Sequence, residues 1–307
     1  MELPVILLPI IGVPLLLLLL VHLGFRAPRI AEHGTPERFG LPFHAVSIAT
    51  VAGRHLFGWW LPVATGDVSI VILHGWGGNA EMMLPLALPF HRAGINVLLI
   101  DARNHGRSDR HGHSSLPRFA EDVGHAVDWL RSAHPQRARR MVLLGHSLGA
   151  AAVLFEASRR SDIDAVISIS AFAHPAWMMR RHLDRWWLPR PLAALIMRYV
   201  EWVIGHRFDE IAPLRTICRI QARVLLVHGT DDRTVPLADA HAIAATCRQP
   251  HVTLLEIPGA DHDSVEAIER HGAGLIRFLA DAGLLSGSTR PVGEQQTGDH
   301  QGSADRQ

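Results

Sequence analysis

The chain has 307 residues with 30 basic and 29 acidic side chains, a formal net charge of +1, and so gives no reason to expect a nucleic-acid partner. Two cysteines exclude a disulfide-rich extracellular scaffold. Every basic residue is arginine and none is lysine, which reads as a compositional bias rather than as an arginine-specific binding site.

The first feature in chain order is residues 3–21, nineteen positions without a charge, including the leucine run 15–20. As a helix this stretch would span about 28 Å, close to the hydrocarbon thickness of a bilayer. It predicts a single-pass transmembrane anchor over residues 1–25. Pro4 suits a first helical turn, and Pro9 and Pro14 are tolerated in lipid-embedded helices. A cleaved signal peptide is the rival, but Met1-Glu2 supplies no basic start and His22-Leu23-Gly24-Phe25-Arg26 is a poor cleavage site. Arg26, Arg29 and Arg38 follow the span and no basic residue precedes it, so the positive-inside rule predicts that the rest of the chain lies in the cytoplasm.

After the anchor comes a hairpin-like opening, 44–50 and 55–62, with Ala52-Gly53 at its turn. Apolar strands are predicted near 69–73, 95–100, 140–144, 165–170, 223–228 and 252–257, with helices near 79–93, 118–133, 148–160, 237–247 and 264–282. That alternation predicts an α/β fold: one mostly parallel eight-stranded sheet flanked by helices on both faces, in a single domain over 26–285. The connection 171–222 is too long for one crossover helix and predicts a helical cap. Its Trp177, Trp186, Trp187, Trp202 and Tyr199, interleaved with Arg180, Arg181, Arg185, Arg190 and Arg198, suit a surface facing lipid head groups or packing onto the domain beneath. The polar residues 286–307 predict a disordered tail.

Chemistry concentrates at four places. Gly145-His146-Ser147-Leu148-Gly149 lies between the strand 141–144 and a helix opening with Ala150, Ala151 and Ala152. This turn lifts Ser147 out of the sheet as a nucleophile, and side chains in place of its glycines would collide with the neighbouring strand and helix. The strand 252–257 runs into Pro258-Gly259-Ala260-Asp261-His262, which offers His262 as general base. The strand before it runs into Gly229-Thr230-Asp231-Asp232-Arg233-Thr234-Val235-Pro236. Asp231 and Asp232 are the candidates for the carboxylate that orients the imidazole, Asp231 also suiting a turn residue. His74-Gly75-Trp76-Gly77-Gly78 ends an apolar strand, and its Trp76 amide, with that of Leu148, is the expected oxyanion hole. His105, His111 and His113 sit in a glycine-rich, surface-like loop without a companion carboxylate, so neither a metal nor another cofactor is expected.

Together these motifs, with Asp101-Ala102-Arg103-Asn104-His105-Gly106-Arg107-Ser108 between them, resemble the α/β-hydrolase superfamily over residues 44–282. The likeness is to its membrane-anchored, lipase- and esterase-like members, including the serine aminopeptidase and monoacylglycerol lipase types. Asn104 stands where the family pattern more often has glycine. The resemblance implies a serine hydrolase with a Ser147–Asp232–His262 triad acting on lipid-like or simple acyl esters through an acyl-enzyme. The same machinery serves thioesterases, acyltransferases and peptidases, and a membrane-tethered binding protein that keeps the fold is a further alternative.

Overall fold

The computed structural model of the chain describes residues 12, 15–16, 18–185, 187–247, 251–264, 268 and 270–285. Its eight strands are β1 (His44–Ala49), β2 (His55–Leu61), β3 (Val68–Leu73), β4 (Asn96–Ile100), β5 (Arg140–His146), β6 (Ala165–Ile169), β7 (Arg223–Gly229) and β8 (Val252–Ile257). They form one sheet in the order β1-β2-β4-β3-β5-β6-β7-β8. β2 runs antiparallel to both its neighbours, β1 and β4; β4, β3, β5, β6, β7 and β8 pair in parallel. The expected mostly parallel sheet is therefore present.

The strand sequences explain their places. All six residues of β3 are buried, as a central parallel strand covered on both faces requires. Val71 and Leu73 point into one apolar layer, Ile70 and Ile72 into the other. The first layer is closed by α2 (Leu116–Ala133) and α3 (Leu148–Ala157), the second by α1 (Leu84–Arg92) and α7 (Gly272–Asp281). Phe119, Val123 and Val127 recur at intervals of four, so α2 turns one apolar stripe to the sheet. The outer strands β1 and β8 carry mixed burial.

One helix differs in extent from the expectation. The stretch 79–93 opens as a 3₁₀ turn, Glu81–Met83, before α1 begins with Pro85 in its first turn. In the stretch 264–282 the described residues hold the helix Gly272–Asp281, with Ile268 and Arg270 also helical and residues 265–267 and 269 outside the described residues. The helix α6 (Leu237–Thr246) precedes β8.

The connection 171–222 is helical: α4 (Pro175–Asp184), α5 (Arg190–Ile204) and two short turns, Phe208–Ile211 and Pro213–Thr216. Asp239 of α6 ties it to the base by accepting from the amide of Ala173 at 2.9 Å and from the guanidinium of Arg181. Helix α5 buries Ile196 and Val200 and exposes Leu195 and Trp202. Trp186 lies outside the described residues, as does the tail 286–307.

Most of the expected anchor also lies outside them: residues 1–11, 13, 14 and 17. The described positions from 12 to 24 are helical. Among the described residues no helix is long and apolar enough to cross a membrane. Beyond this helix the chain is bolted to the loop after β4. The amide of Ser114 donates to the carbonyl of Phe25 at 3.2 Å, and Arg29 donates to the carbonyls of Gly106 and Ser108 at 2.5 and 2.7 Å.

Candidate active site

Strand order reverses at β3, which is flanked by β4 on one side and β5 on the other. Such a switch opens a crevice at the carboxyl ends of the strands, where open α/β sheets bind ligands. The register Leu73↔Gly145 sets the ends of β3 and β5 side by side. The loop His74-Gly75-Trp76-Gly77-Gly78 and the turn around Ser147 consequently face each other.

Ser147 has φ +54 and ψ −115, a strained conformation for a residue with a side chain. Packing holds it there. A Cβ on Gly145 would stand 2.2 Å from the carbonyl of Gly149, and one on Gly149 would stand 2.4 Å from that of His74. The Ser147 amide donates to Ile169 of β6 at 2.9 Å. Its hydroxyl lies 2.9 Å from Nε2 of His262, whose Nδ1 lies 2.8 Å from Oδ2 of Asp232.

The structure brings Asp232, not Asp231, to the imidazole. Asp232 is buried, and its Oδ1 accepts from the amides of Thr234 and Val235 at 2.9 and 2.7 Å. Burial works against its charge, but hydrogen bonds from His228, His262 and the Val235 amide outweigh that and hold its carboxyl well below the usual range. Asp231 is exposed and accepts from the Thr230 hydroxyl at 3.0 Å.

Three further histidines, none of them singled out by the sequence reading for these tasks, hold this set in place. His146 donates through Nε2 to the backbone carbonyl of His262 at 2.8 Å, and burial pushes its pKa down to about 4. His105 accepts from the Gly77 amide at 3.1 Å and donates to the carbonyl of Arg103 at 3.0 Å. His74 accepts from the Ala102 amide at 3.1 Å and donates to the carbonyl of Gly75 at 2.7 Å. Burial pushes His74 and His105 down to about 4 as well. Each is therefore neutral at pH 7, and His74 and His105 each present one donor and one acceptor, as their partners demand. The surface-like placement expected of His105 is corrected: it is fully buried. The only signal in the sequence was its position just after the end of an apolar strand.

Several amides of the glycine loop are already engaged. Those of Gly77, Gly78 and Ala80 go to His105, to the carbonyl of Gly75 and to Asp101. Among the described residues the Trp76 amide finds no backbone acceptor, and Leu148 is the first residue of α3, where amides lack intrahelical partners. Gly75 passes so close that a Cβ would meet that of Ser147 at 3.1 Å.

Beneath this loop lies a buried carboxyl pair. Asp101 accepts from the amides of Ala80 and Arg107, both at 2.7 Å. The side chain of Glu32 is fully buried beside it, with Arg107 at 2.5 Å. Burial, then the neighbouring Asp101 charge, pushes Glu32 up to about 8, so the two carboxyls share a proton at neutral pH. Asn104 has φ +71, a left-handed conformation that asparagine accepts more readily than most residues, and this explains why it can stand in for glycine.

Ser147 and His262 line a cavity of about 1770 Å³, larger than the roughly 300–1,000 Å³ of most small-molecule sites. Met178, Met179, Leu183 and Leu188 of the cap and Leu20, Val21, Gly24 and Phe25 of the amino-terminal segment line it. Among the described residues no cluster of three or more His, Cys, Asp or Glu side chains could hold a metal.

Residues 66–217 match the family model described as serine aminopeptidase, S33. YfhR of Salmonella typhimurium is 28% identical over 244 residues, covering 77% of this chain and 80% of its own. The Saccharomyces cerevisiae membrane protein YNL320W is 23% identical over 253 residues, covering 82% and 84%. Among solved structures, the Pyrococcus furiosus esterase Pf2001 superposes with a TM-score of 0.70 at 23% identity, covering 83% of this chain and 96% of that one. Sheet order, the turn at Ser147, the glycine loop and these likenesses converge: the chain has the α/β-hydrolase fold and is similar to the serine aminopeptidase, S33, family over residues 66–217.

Proposed function

We propose that the protein is a serine hydrolase that cleaves carboxylic esters through an acyl-enzyme. The observation that carries this reading is the continuous line of hydrogen bonds from the Ser147 hydroxyl through His262 to Asp232, opening on an apolar cavity. Ser147 attacks the acyl carbonyl as His262 Nε2 takes its proton. The amides of Trp76 and Leu148 stabilise the oxyanion, and His262 returns the proton to the departing alcohol. A water activated by His262 then releases the carboxylic acid. Asp232 stays ionised throughout, fixing the tautomer with Nδ1–H toward itself and stabilising the imidazolium.

Cytoplasmic attachment through a single-pass helix at residues 1–25 completes the reading. Its support is the uncharged stretch 3–21, the basic residues that follow it, and the similarity to a yeast membrane protein. The test is labelling of the full chain by a fluorophosphonate together with hydrolysis of soluble acyl esters. Ser147→Ala should abolish the label and lower kcat on the order of 10⁶-fold; label that survives this substitution refutes the assignment. The S33 match makes peptidase activity the reading to compare, and faster cleavage of aminoacyl amides than of matched esters would favour it.

A further inference from the structure

Residues 25–40 precede the stretch similar to the S33 family, which begins at residue 66, yet they lie against the two loops that build the site. Pro28 rests on the glycine loop, where a Cβ on Gly77 would stand 3.0 Å from its Cγ. The Ile30 carbonyl accepts from the side-chain amide of Asn79 at 3.3 Å, and the His33 amide donates to Oε2 of Glu81 at 2.6 Å. On the loop after β4, Arg29 holds the carbonyls of Gly106 and Ser108. Into the contact between the loops this strap inserts Glu32, whose side chain has no exposed surface.

Glu32 links the strap to both loops. Its carboxyl is hydrogen-bonded to that of Asp101, and Nε of Arg107 stands 2.5 Å away. Asp101 in turn holds the amide of Ala80 on one oxygen and that of Arg107 on the other, and a Cβ on Gly106 would overlap its carboxylate. His105, on the same loop, takes the Gly77 amide. The glycine loop is thereby pinned at Gly77 and at Ala80, one and four positions past Trp76.

The charges around this link favour a shared proton. Two ionised carboxylates in a buried contact repel, and Glu81 adds a further negative group against the cation of Arg107. His105, which also faces Asp101, is neutral, and Arg29 lies beyond it. With a proton on Glu32 the contact becomes a hydrogen bond to a charged acceptor, and Asp101 keeps its charge for the two amides.

We propose that Glu32 is a positioning residue for the oxyanion hole: through Asp101 it holds the glycine loop where the Trp76 amide meets the developing oxyanion, which makes the strap 25–40 a working part of the active site. The inference rests on the esterase reading above and is independent of the anchor. Glu32 touches no substrate and takes part in no bond change. Its effect falls on kcat, because a displaced amide loses most where charge develops in the transition state.

The test is the pH dependence of kcat and KM on a soluble acyl ester for the full chain, Glu32→Gln and Glu32→Ala. Glutamine keeps a donor for Asp101 and an acceptor for Arg107 but has no proton to lose. In the unsubstituted protein kcat should fall about tenfold as pH rises through about 8, the value to which burial and the Asp101 charge push Glu32, where a histidine base alone gives a plateau. Glu32→Ala should lower kcat roughly 10- to 100-fold at neutral pH with KM changed little, less than the loss of an oxyanion donor itself. Glu32→Gln should recover most of that loss and replace the alkaline fall by a plateau. An alkaline fall that persists in Glu32→Gln, a plateau already present in the unsubstituted protein, or an unchanged kcat in Glu32→Ala overturns the inference while hydrolysis and fluorophosphonate labelling of Ser147 leave the esterase standing. If Glu32→Ala does not fold, the profiles of the other two proteins decide. Absence of hydrolysis and of label in the unsubstituted protein removes the esterase reading, and the inference with it.

Discussion

The floor and the roof of the cavity are built on different principles. On the floor the polar side chains are tied to partners: Ser147 to His262, His262 to Asp232 and His146, Asp232 to two amides, and the Gly77 and Ala80 amides to His105 and Asp101. The roof is mostly apolar, with Met178, Met179, Leu183 and Leu188 facing the site. Its polar ties lie at the margins, in Arg181–Asp239, His174–Asp209 and Tyr199–His22. The difference follows from the tasks. Proton transfer tolerates little displacement of the reacting atoms, whereas holding an apolar chain needs volume and exclusion of water, which methionine and leucine supply in many arrangements.

The most severe way to break the floor is to reverse the imidazole. Asp232→Asn should lower kcat about 10⁴-fold by favouring the wrong tautomer, while Asp231→Asn should leave kcat near that of the unsubstituted enzyme. Steady-state rates on a soluble ester decide this, and the opposite ranking would transfer the role of acid to Asp231.

A paired substitution then sharpens the contrast between floor and roof. His105→Ala takes the acceptor from the Gly77 amide and should lower kcat roughly 10- to 100-fold, less than removal of an oxyanion donor itself, with KM changed little. Met179→Ala removes a wall of the cavity and should instead raise KM for long acyl esters by about tenfold, the effect of a few methylene contacts. If both variants moved the same kinetic constant, the division of labour drawn here would fail.

The smallest effect concerns the buried pair under the glycine loop. Glu32 titrates near 8 in the folded protein against 4.5 when unfolded, so the folded state holds the extra proton between these values. Its contribution to stability is therefore fully present below pH 4.5 and is lost as pH rises toward 8. Glu32→Gln should flatten the decline of Tm across that window. Parallel Tm profiles for the two proteins would show that the carboxyl pair does not share a proton.

How much was legible before folding differed along the chain. The strands could be read because β3, β5, β6 and β7 are runs of apolar residues buried on both faces, a pattern that does not depend on knowing the neighbours. The elbow could be read because only glycine fits where Gly145 and Gly149 meet the backbone opposite. His74, His105, His146 and His228 could not be distinguished among 21 histidines, since what defines them is a partner 7 to 116 positions away.

The sequence by itself determined the order of strands and helices, the glycine-flanked Ser147, the presence of a long insert and the two aspartates among which an acid had to be sought. These are local matters, set by hydropathy period, by backbone sterics and by spacing along the chain. Only the tertiary structure decided that Asp232 faces His262, that Glu32 is buried against Asp101, and that Leu20 to Phe25 wall the cavity of Ser147. Each of those depends on which surfaces meet across the fold, and burial and charge pairing act through space rather than along the chain.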